Sequence, residues 1–267
     1  MSRCRHSVLT IAGSDSGGGA GIQADLRTFA AHGLHGLSAI AALTAQNTLG
    51  VRAVEVPDVG FLRAQIDACF EDFSIRAVKL GMLATARVIH AVADAIAAHR
   101  PPWLVLDPVM VASSGARLLE PDALEALRVR LLPQASLITP NIPEAELLLG
   151  RPIDDAGAEQ ALEDLLALGA RAVLLKGGHL ATSDAVIDRL HDGRERHGFQ
   201  HPRLAVEGHG TGCTLASAVA ARLAAGEDLV SACRGATDYV HGALRGAYRP
   251  GRGAPVVLDH FWALSGG

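Results

Sequence analysis

Short apolar runs alternate with longer amphipathic segments along most of the chain. The apolar runs predict strands over residues 7–12, 37–44, 51–56, 75–80, 103–107, 136–139 and 172–176. Apolar residues at helical spacing predict helices over residues 21–32, 58–72, 85–98, 121–131, 143–149, 157–168, 211–225 and 229–244. This alternation favours an α/β fold in which helices cover both faces of a mostly parallel sheet.

One segment departs from the alternation. Residues 185–204 place Asp192-Gly193 between two strand-like runs, which is typical of a β-hairpin on an antiparallel edge of the sheet. The tail after residues 250–253 is also expected to pack as an edge. No internal repeat, low-complexity segment or linker interrupts the chain, so we expect a single domain over residues 1–267.

Composition narrows the class of protein. Hydrophobic residues make up 49% and charged residues 19% of the 267 residues, which supports a large core and excludes global disorder. The net charge of −4 and the lack of a basic run argue against a nucleic-acid partner. No apolar stretch approaches a membrane span, and no signal peptide is visible. The four cysteines are scattered, which is typical of reduced thiols in a cytoplasmic protein.

Two lysines stand out within apolar runs. Lys79 and Lys176 are the only lysines among 24 basic residues, and glycine follows close behind each. A buried lysine is costly unless it is paired with an opposite charge. Because ligands bind at the carboxyl ends of the strands in open α/β sheets, we predict that both lysines lie at that edge.

A glycine-rich loop at residues 13–21 follows the first predicted strand. Five glycines in nine residues favour close approach of the backbone to a ligand, with N–H groups aimed at it. Residues 19–24 also fit a loose GxGxxA dinucleotide pattern. That fingerprint requires an acidic residue further along, and none occurs between Leu26 and Val54. A P-loop is excluded because glycine precedes neither lysine.

A second glycine-rich turn, GHGTGCT at residues 208–214, precedes an apolar helix. Small residues at the helix start leave several backbone N–H groups unsatisfied and pointing outward, and these suit a phosphoryl group in its anionic transition state. A helix start also lowers the pKa of a thiol, so Cys213 is a candidate base for an attacking alcohol. The alternative is a small buried apolar cysteine.

Three polar residues follow other predicted strands. Asn141 and Glu144 stand three residues apart at a predicted helix start, which predicts a capping box, a carboxylate near Mg²⁺, or both. Asp107 ends a predicted strand, where it either begins the turn that Pro108 continues or orients a metal ion; the residues alone slightly favour the turn.

The ordered set of motifs resembles a known family. The motifs are GSDSGGGAGIQADL from residue 13, TAQN from 44, KLGML from 79, DPVM from 107, TPNIPEAE from 139, KGGH from 176 and GTGCT from 210. Together they resemble the bacterial hydroxymethylpyrimidine/phosphomethylpyrimidine kinases of thiamine biosynthesis, which belong to the ribokinase-like superfamily. The resemblance implies a three-layer α/β/α sandwich, ATP as co-substrate, Mg²⁺ and a homodimer.

The resemblance also implies roles for individual residues. The pyrimidine pocket would be lined by Gly13, Ala20, Gln46, Met82 and Val109, with Gln46 bonded to the aminopyrimidine edge. Cys213 would lie beside the hydroxymethyl group as the base, and Gly210, Thr211 and Gly212 would form the anion hole. Asn141 and Lys176 would meet the nucleotide phosphates, and Asp107 with Glu144 would organise Mg²⁺.

Two differences from the family's sequence pattern leave alternative functions open. Most ribokinase-like enzymes carry Asp where this chain has Cys213, and that cysteine also occurs in some related pyridoxal kinases. Ser113 stands where many relatives have lysine, so a phosphate contact by that lysine must be absent or replaced. A pyridoxal kinase and a non-catalytic nucleotide- or vitamin-binding protein of the same fold therefore remain as alternatives to the pyrimidine kinase.

Overall fold

The computed structural model describes residues 6–111, 115, 118–179 and 184–264. The strands are β1 Ser7–Asp15, β2 His35–Asn47, β3 Gly50–Glu55, β4 Ile75–Leu80, β5 Trp103–Leu106, β6 Leu137–Ile138, β7 Val173–Leu175, β8 Ala185–His191, β9 Arg196–Pro202, β10 Gly208–His209 and β11 Val256–Val257. The α-helices are α1 Gly21–Ala31, α2 Val59–Asp72, α3 Ala86–His99, α4 Ala123–Ala126, α5 Ile142–Leu149, α6 Ala158–Leu166, α7 Thr211–Ala224 and α8 Leu229–Arg245.

The main sheet confirms the predicted α/β fold. Its strands lie in the order β3-β2-β1-β4-β5-β6-β7-β8-β9. The neighbours from β2 to β7 pair in parallel, whereas β3 and the β8–β9 pair are antiparallel. The predicted hairpin is confirmed, since Asp192 accepts the N–H groups of Arg194 and Glu195 in the turn that joins β8 to β9.

Helices cover both faces of the sheet, as predicted. Helices α1, α7 and α8 pack on one face, and α2, α3 and α6 pack on the other. Along β5, Val105 enters one core and its neighbours Leu104 and Leu106 enter the other. Because both faces are buried, the central strands are almost wholly apolar, and this is why they appear in the sequence as short continuous hydrophobic runs.

Two elements differ from the sequence prediction. The helix predicted over residues 121–131 is α-helical only in α4, continues as a π-helix over Leu127–Leu131 and ends in a 3₁₀ turn at Leu132–Gln134. Pro133 lacks an N–H and so prevents regular continuation. The tail expected at a sheet edge instead places β11 beside β10 in a separate two-stranded sheet, next to the start of α7. Within the described ranges, no helix is long and apolar enough to span a bilayer.

Candidate active site

A cavity of about 580 Å³ opens at the carboxyl ends of the central strands. Its wall contains all the predicted site residues: Gly13, Ala20, Gln46, Met82, Asp107, Val109, Asn141, Glu144, Lys176, Gly210, Thr211, Gly212 and Cys213. They come from seven separate parts of the chain, and the parallel strand order brings them to one edge. Such an edge is where open α/β sheets bind ligands. Ser113, the departure noted above, lies outside the described residues.

The start of α7 has the geometry of an anion site. Gly210 caps this helix with a left-handed backbone at φ 84° and, because it has no side chain, makes no side-chain capping bond to the first turn. A Cβ on Gly210 would lie 2.0 Å from the carbonyl oxygen of Gly19, so the two glycine-rich loops touch backbone to backbone. A Cβ on Gly212 would lie 2.9 Å from Lys176 Nζ. The helix dipole, the N–H groups and a lysine charge thus converge on one point.

Lys176 pairs with two carboxylates beside this helix start. Its Nζ lies 2.9 Å from Asp107 Oδ1 and 3.6 Å from Glu144 Oε2. The hydroxyl of Thr139 also donates to Asp107 Oδ1, at 3.1 Å. The side chain of Asp107 therefore faces the cavity, although its backbone carbonyl also accepts the N–H of Val109 in the expected turn.

The predicted capping box at α5 is confirmed. Asn141 Oδ1 accepts the N–H of Glu144, and Glu144 Oε2 accepts the N–H of Asn141, both at 2.8 Å. Burial raises the pKa of Glu144 to about 7, an effect that Lys176 opposes and the nearby Asp107 carboxylate reinforces. Glu144 thus caps the helix and also places a poorly compensated carboxylate in the cavity wall.

The carboxylates suit Mg²⁺ only in part. Among the described residues, no group of three His, Cys, Asp or Glu side chains forms a full set of ligands for a metal ion. Mg²⁺ commonly takes one or two carboxylates and fills its other positions with water and substrate phosphates. The raised pKa of Glu144 indicates negative charge that a cation would relieve. Asp107 and Glu144 therefore fit a magnesium ion that arrives with a phosphorylated substrate.

The expectation of a lowered thiol pKa at Cys213 is wrong. Burial raises the pKa of Cys213 to about 11, and the Lys79 charge and the N–H of Gly21 only partly oppose this effect. The side chain remains partly accessible from the cavity. Loss of hydration therefore outweighs the helix start, and Cys213 is a neutral thiol near pH 7.

Lys79 does not line the cavity, contrary to the prediction. Its ammonium is fully buried and lies 3.0 and 2.9 Å from the two carboxylate oxygens of Asp25. Asp25 also accepts the hydroxyls of Thr10 and Ser217, at 2.6 and 2.7 Å. Burial by itself would lower the pKa of Lys79, but the Asp25 carboxylate reverses the shift and raises it above its ordinary value. The pair links β4 to α1 and α7 beneath the site.

The first glycine-rich loop also differs from its prediction. Three of its N–H groups donate to the Asp15 carboxylate of the same loop instead of remaining free for a ligand: Gly17 to Oδ1 at 2.7 Å, and Gly19 and Ala20 to Oδ2 at 3.0 and 2.9 Å. His209 Nε2 lies 3.0 Å from the same Oδ2. Neither side chain was predicted as a site residue, although Asp15 lies inside one glycine motif and His209 inside the other. Their position in the motifs was the available signal.

Comparison with known proteins places this chain in a family. The family model described as phosphomethylpyrimidine kinase matches residues 15–257. A hydroxymethylpyrimidine/phosphomethylpyrimidine kinase of Streptomyces coelicolor is 49% identical over 259 residues, covering 96% of this chain and 95% of that protein. The thiamine biosynthesis bifunctional protein ThiED of Geobacter sulfurreducens is 50% identical over 251 residues, which cover 93% of this chain but 51% of that longer protein.

A solved structure supports the fold. The ADP complex of Bacillus subtilis pyridoxal kinase superimposes with a TM-score of 0.90 at 33% identity, covering 98% of this chain and 100% of that one. The resemblance inferred from the motifs is therefore confirmed, and the fold matches that of a kinase solved with a bound nucleotide. The chain belongs to the phosphomethylpyrimidine kinase family.

Proposed function

We propose that the protein transfers the γ-phosphoryl group of ATP to the primary alcohol of 4-amino-5-hydroxymethyl-2-methylpyrimidine, and then a second one to the resulting monophosphate. The observation that carries the proposal is the start of α7, which has no side-chain cap and whose Gly212 and Cys213 line the cavity together with Lys176. Family membership supports the substrate, since the relatives are named for both activities.

The pyrimidine binds, in this proposal, on the side of the cavity away from the phosphates. Its pocket is formed by Gly13, Ala20, Gln46, Met82 and Val109. Gly13 and Met82 lie close together, since a Cβ on Gly13 would be 3.0 Å from Met82 Sδ. A flat ring fits between such close walls, and the Gln46 amide offers both a donor and an acceptor to its edge.

The phosphates of ATP meet the opposite side. Lys176 and the amides of Gly210, Thr211 and Gly212 stabilise the transferring group, and Asn141 lies beside them. Asp107 and Glu144 would hold Mg²⁺, which supplies charge neutralisation on the phosphate oxygens when it is bound. Catalysis then rests mainly on positioning and on electrostatic stabilisation of the transition state.

Cys213 positions the attacking alcohol in its neutral thiol form. In a loose phosphoryl-transfer transition state, the alcohol keeps its proton until late, so a strong base is not required. The new bond joins the alcohol oxygen to the γ-phosphorus, the bond to the β,γ-bridging oxygen breaks, and ADP leaves. The alcohol proton passes to an oxygen of the transferred group. A first-step rate that stays flat between pH 7 and about 9 fits this role, whereas a tenfold rise per pH unit would show that the thiolate is the base.

A pyridoxal kinase is the second candidate, because the structural match to such an enzyme has a TM-score of 0.90. ADP formation measured in parallel with the hydroxymethylpyrimidine, with pyridoxal and with no alcohol decides between the candidates. The pyrimidine kinase predicts the highest kcat/KM with the hydroxymethylpyrimidine. A higher value with pyridoxal overturns it in favour of the second candidate, and no alcohol-dependent ADP supports a non-catalytic binding protein.

We further propose that the chain acts as one domain and as a homodimer in the cytoplasm. Leu43, Leu49 and Val54 expose apolar side chains on or next to the antiparallel pair β2–β3, which suits contact with a second copy. The described cysteines, Cys69, Cys213 and Cys233, are free thiols, as is usual in a reducing compartment. Light scattering gives the mass in solution, and a monomer at micromolar concentration refutes the dimer.

A further inference from the structure

Three side chains from separate strands meet in the cavity wall. His209 Nε2 lies 3.0 Å from Asp15 Oδ2 and 3.1 Å from one polar atom of the Gln46 amide. The other polar atom of that amide lies 3.2 Å from Thr44 Oγ1. His209 belongs to the short strand that leads directly into the start of α7, so this contact joins the proposed anion site to the proposed pyrimidine pocket.

The proton on His209 is determined by Asp15. Three backbone N–H groups already donate to this carboxylate, two of them to Oδ2. An ionised carboxylate only accepts hydrogen bonds. Burial would raise the pKa of Asp15, but bonds from His209 and the loop amides hold it below its ordinary value. His209 Nε2 must therefore carry a hydrogen and donate it, because an unprotonated nitrogen would face the carboxylate lone pairs.

The same proton determines which way the Gln46 amide points. An amide has two orientations, which exchange its oxygen and nitrogen at the same two positions. The single hydrogen on Nε2 of His209 is directed at Asp15, and the protonated nitrogen has no lone pair in the ring plane with which to accept from an –NH₂ group. The Gln46 atom beside it must therefore be Oε1, which shares that hydrogen with Asp15, and the –NH₂ group faces Thr44. The Thr44 hydroxyl donates its single hydrogen to the carbonyl of Ser14 at 2.9 Å, so its oxygen can accept from Gln46. The reverse orientation would set two donors against each other.

This inference rests on the proposed function and deepens it. We propose that His209 is a specificity-determining positioning residue, which locks the Gln46 amide with its oxygen toward His209 and its nitrogen toward Thr44. The locked amide accepts from an amine on the ligand and donates to the adjacent ring nitrogen. The aminopyrimidine edge has this pattern, with a donor beside an acceptor. A pyrimidine with oxygen in place of the amine carries the reverse pattern in its lactam form, and the site rejects it.

Calorimetry with the hydroxymethylpyrimidine and its 4-oxo analogue tests the proposal on the wild-type protein and on His209→Leu. We expect the wild type to bind the amine at least about tenfold more tightly than the oxo compound, and the variant to reduce this preference to less than about threefold. In the kinase assay the KM for the pyrimidine rises about tenfold and the KM for ATP changes less than about twofold. An unchanged preference in His209→Leu, or no preference in the wild type, overturns the proposal.

A double-mutant cycle separates positioning from direct contact. If His209 acts through Gln46, adding His209→Leu to Gln46→Ala produces no further loss of kcat/KM for the pyrimidine. Multiplicative losses overturn the proposal. If His209→Leu does not fold, NMR of the ring-labelled wild type decides: hydrogen on Nε2 near neutral pH supports the proposal, and a bare Nε2 contradicts it. Failure of the wild type to phosphorylate the pyrimidine would instead refute the proposed function. The NMR result would still show whether His209 Nε2 carries the hydrogen that orients the Gln46 amide.

Discussion

The buried ion pair beneath the site gives the sharpest prediction for stability. Lys79 and Asp25 have no exposed side-chain surface, and the ammonium bonds to both carboxylate oxygens. Lys79→Met removes the cation and leaves Asp25 with only the hydroxyls of Thr10 and Ser217. Removing one partner of such a pair costs about 3–5 kcal/mol, because the remaining charge stays buried. At about 2–4 °C per kcal/mol, Tm should fall by about 6–20 °C.

Urea unfolding followed by circular dichroism measures this loss directly. Arg130→Met provides the matched control, since Arg130 Nη2 lies 2.6 Å from Asp94 Oδ1 in a pair whose side chains are 37% and 62% exposed. An exposed pair contributes at most about 1 kcal/mol, so this variant should unfold close to the wild type.

A second variant tests the cause of the loss. Replacing both charged residues, as Asp25→Leu with Lys79→Met, removes the uncompensated charge and should recover part of the lost stability. The reasoning is refuted if Lys79→Met costs no more than Arg130→Met. It is also refuted if the double variant is less stable than Lys79→Met alone, because then packing rather than charge is what the lysine provides.

Three further predictions concern the cavity wall. Glu144→Gln keeps the capping box but removes a carboxyl whose pKa is raised from 4.5 to about 7. The folded wild type binds this proton more tightly, so its free energy of unfolding falls as pH rises from about 4.5 to 7, and the variant should show a weaker fall in urea titrations at several pH values. Cys213→Ala should slow the first transfer about 10- to 100-fold and the second less than about threefold, measured with each acceptor separately. Gly210→Ala should lower kcat at least about 100-fold, because its Cβ would lie 2.0 Å from the Gly19 carbonyl oxygen and displace the anion site.

Each of these predictions can be contradicted, and Gly210→Ala has a matched control. Gly226→Ala carries the same type of backbone strain at φ +99°, but nothing lies within 4 Å of its Cβ, so it should keep its activity. If Gly226→Ala loses as much activity as Gly210→Ala, the close approach to Gly19 is not the cause. Equal loss in both transfers for Cys213→Ala contradicts contact with the alcohol. A Glu144→Gln protein whose stability follows the wild-type pH profile contradicts the raised pKa.

The sequence predicted the sheet because it depends on local signals, whereas the residues of the pyrimidine pocket came from the family resemblance. Continuous apolar runs mark strands buried on both faces, and glycine-rich turns mark their ends. Ile75–Leu80 matches its predicted bounds because the run is wholly apolar apart from Arg76 and Lys79. By contrast, β10 and β11 are two residues each and lie far apart in the sequence, so no local sequence pattern predicts their pairing.

The errors arose where tertiary contacts decide the outcome. Lys79 and Lys176 end similar apolar runs, yet the first pairs with a carboxylate from α1 beneath the sheet and the second with carboxylates at its edge. Cys213 lies in the first turn of α7, a position that favours a low thiol pKa. The surrounding core removes water from the thiol, however, and this burial raises its pKa. The bond between His209 and Asp15 joins residues 194 positions apart. Spacing along the chain contains none of this information.

The most direct test is a ³¹P NMR time course with the purified protein, Mg²⁺, ATP and the hydroxymethylpyrimidine. We expect a phosphomonoester signal that rises and then declines as a diphosphate ester appears, with one ADP formed for each transfer. The isolated monophosphate should enter the second step directly. Absence of any phosphorylated pyrimidine, while pyridoxal is converted to its phosphate under the same conditions, would contradict the proposed reaction at the start of α7.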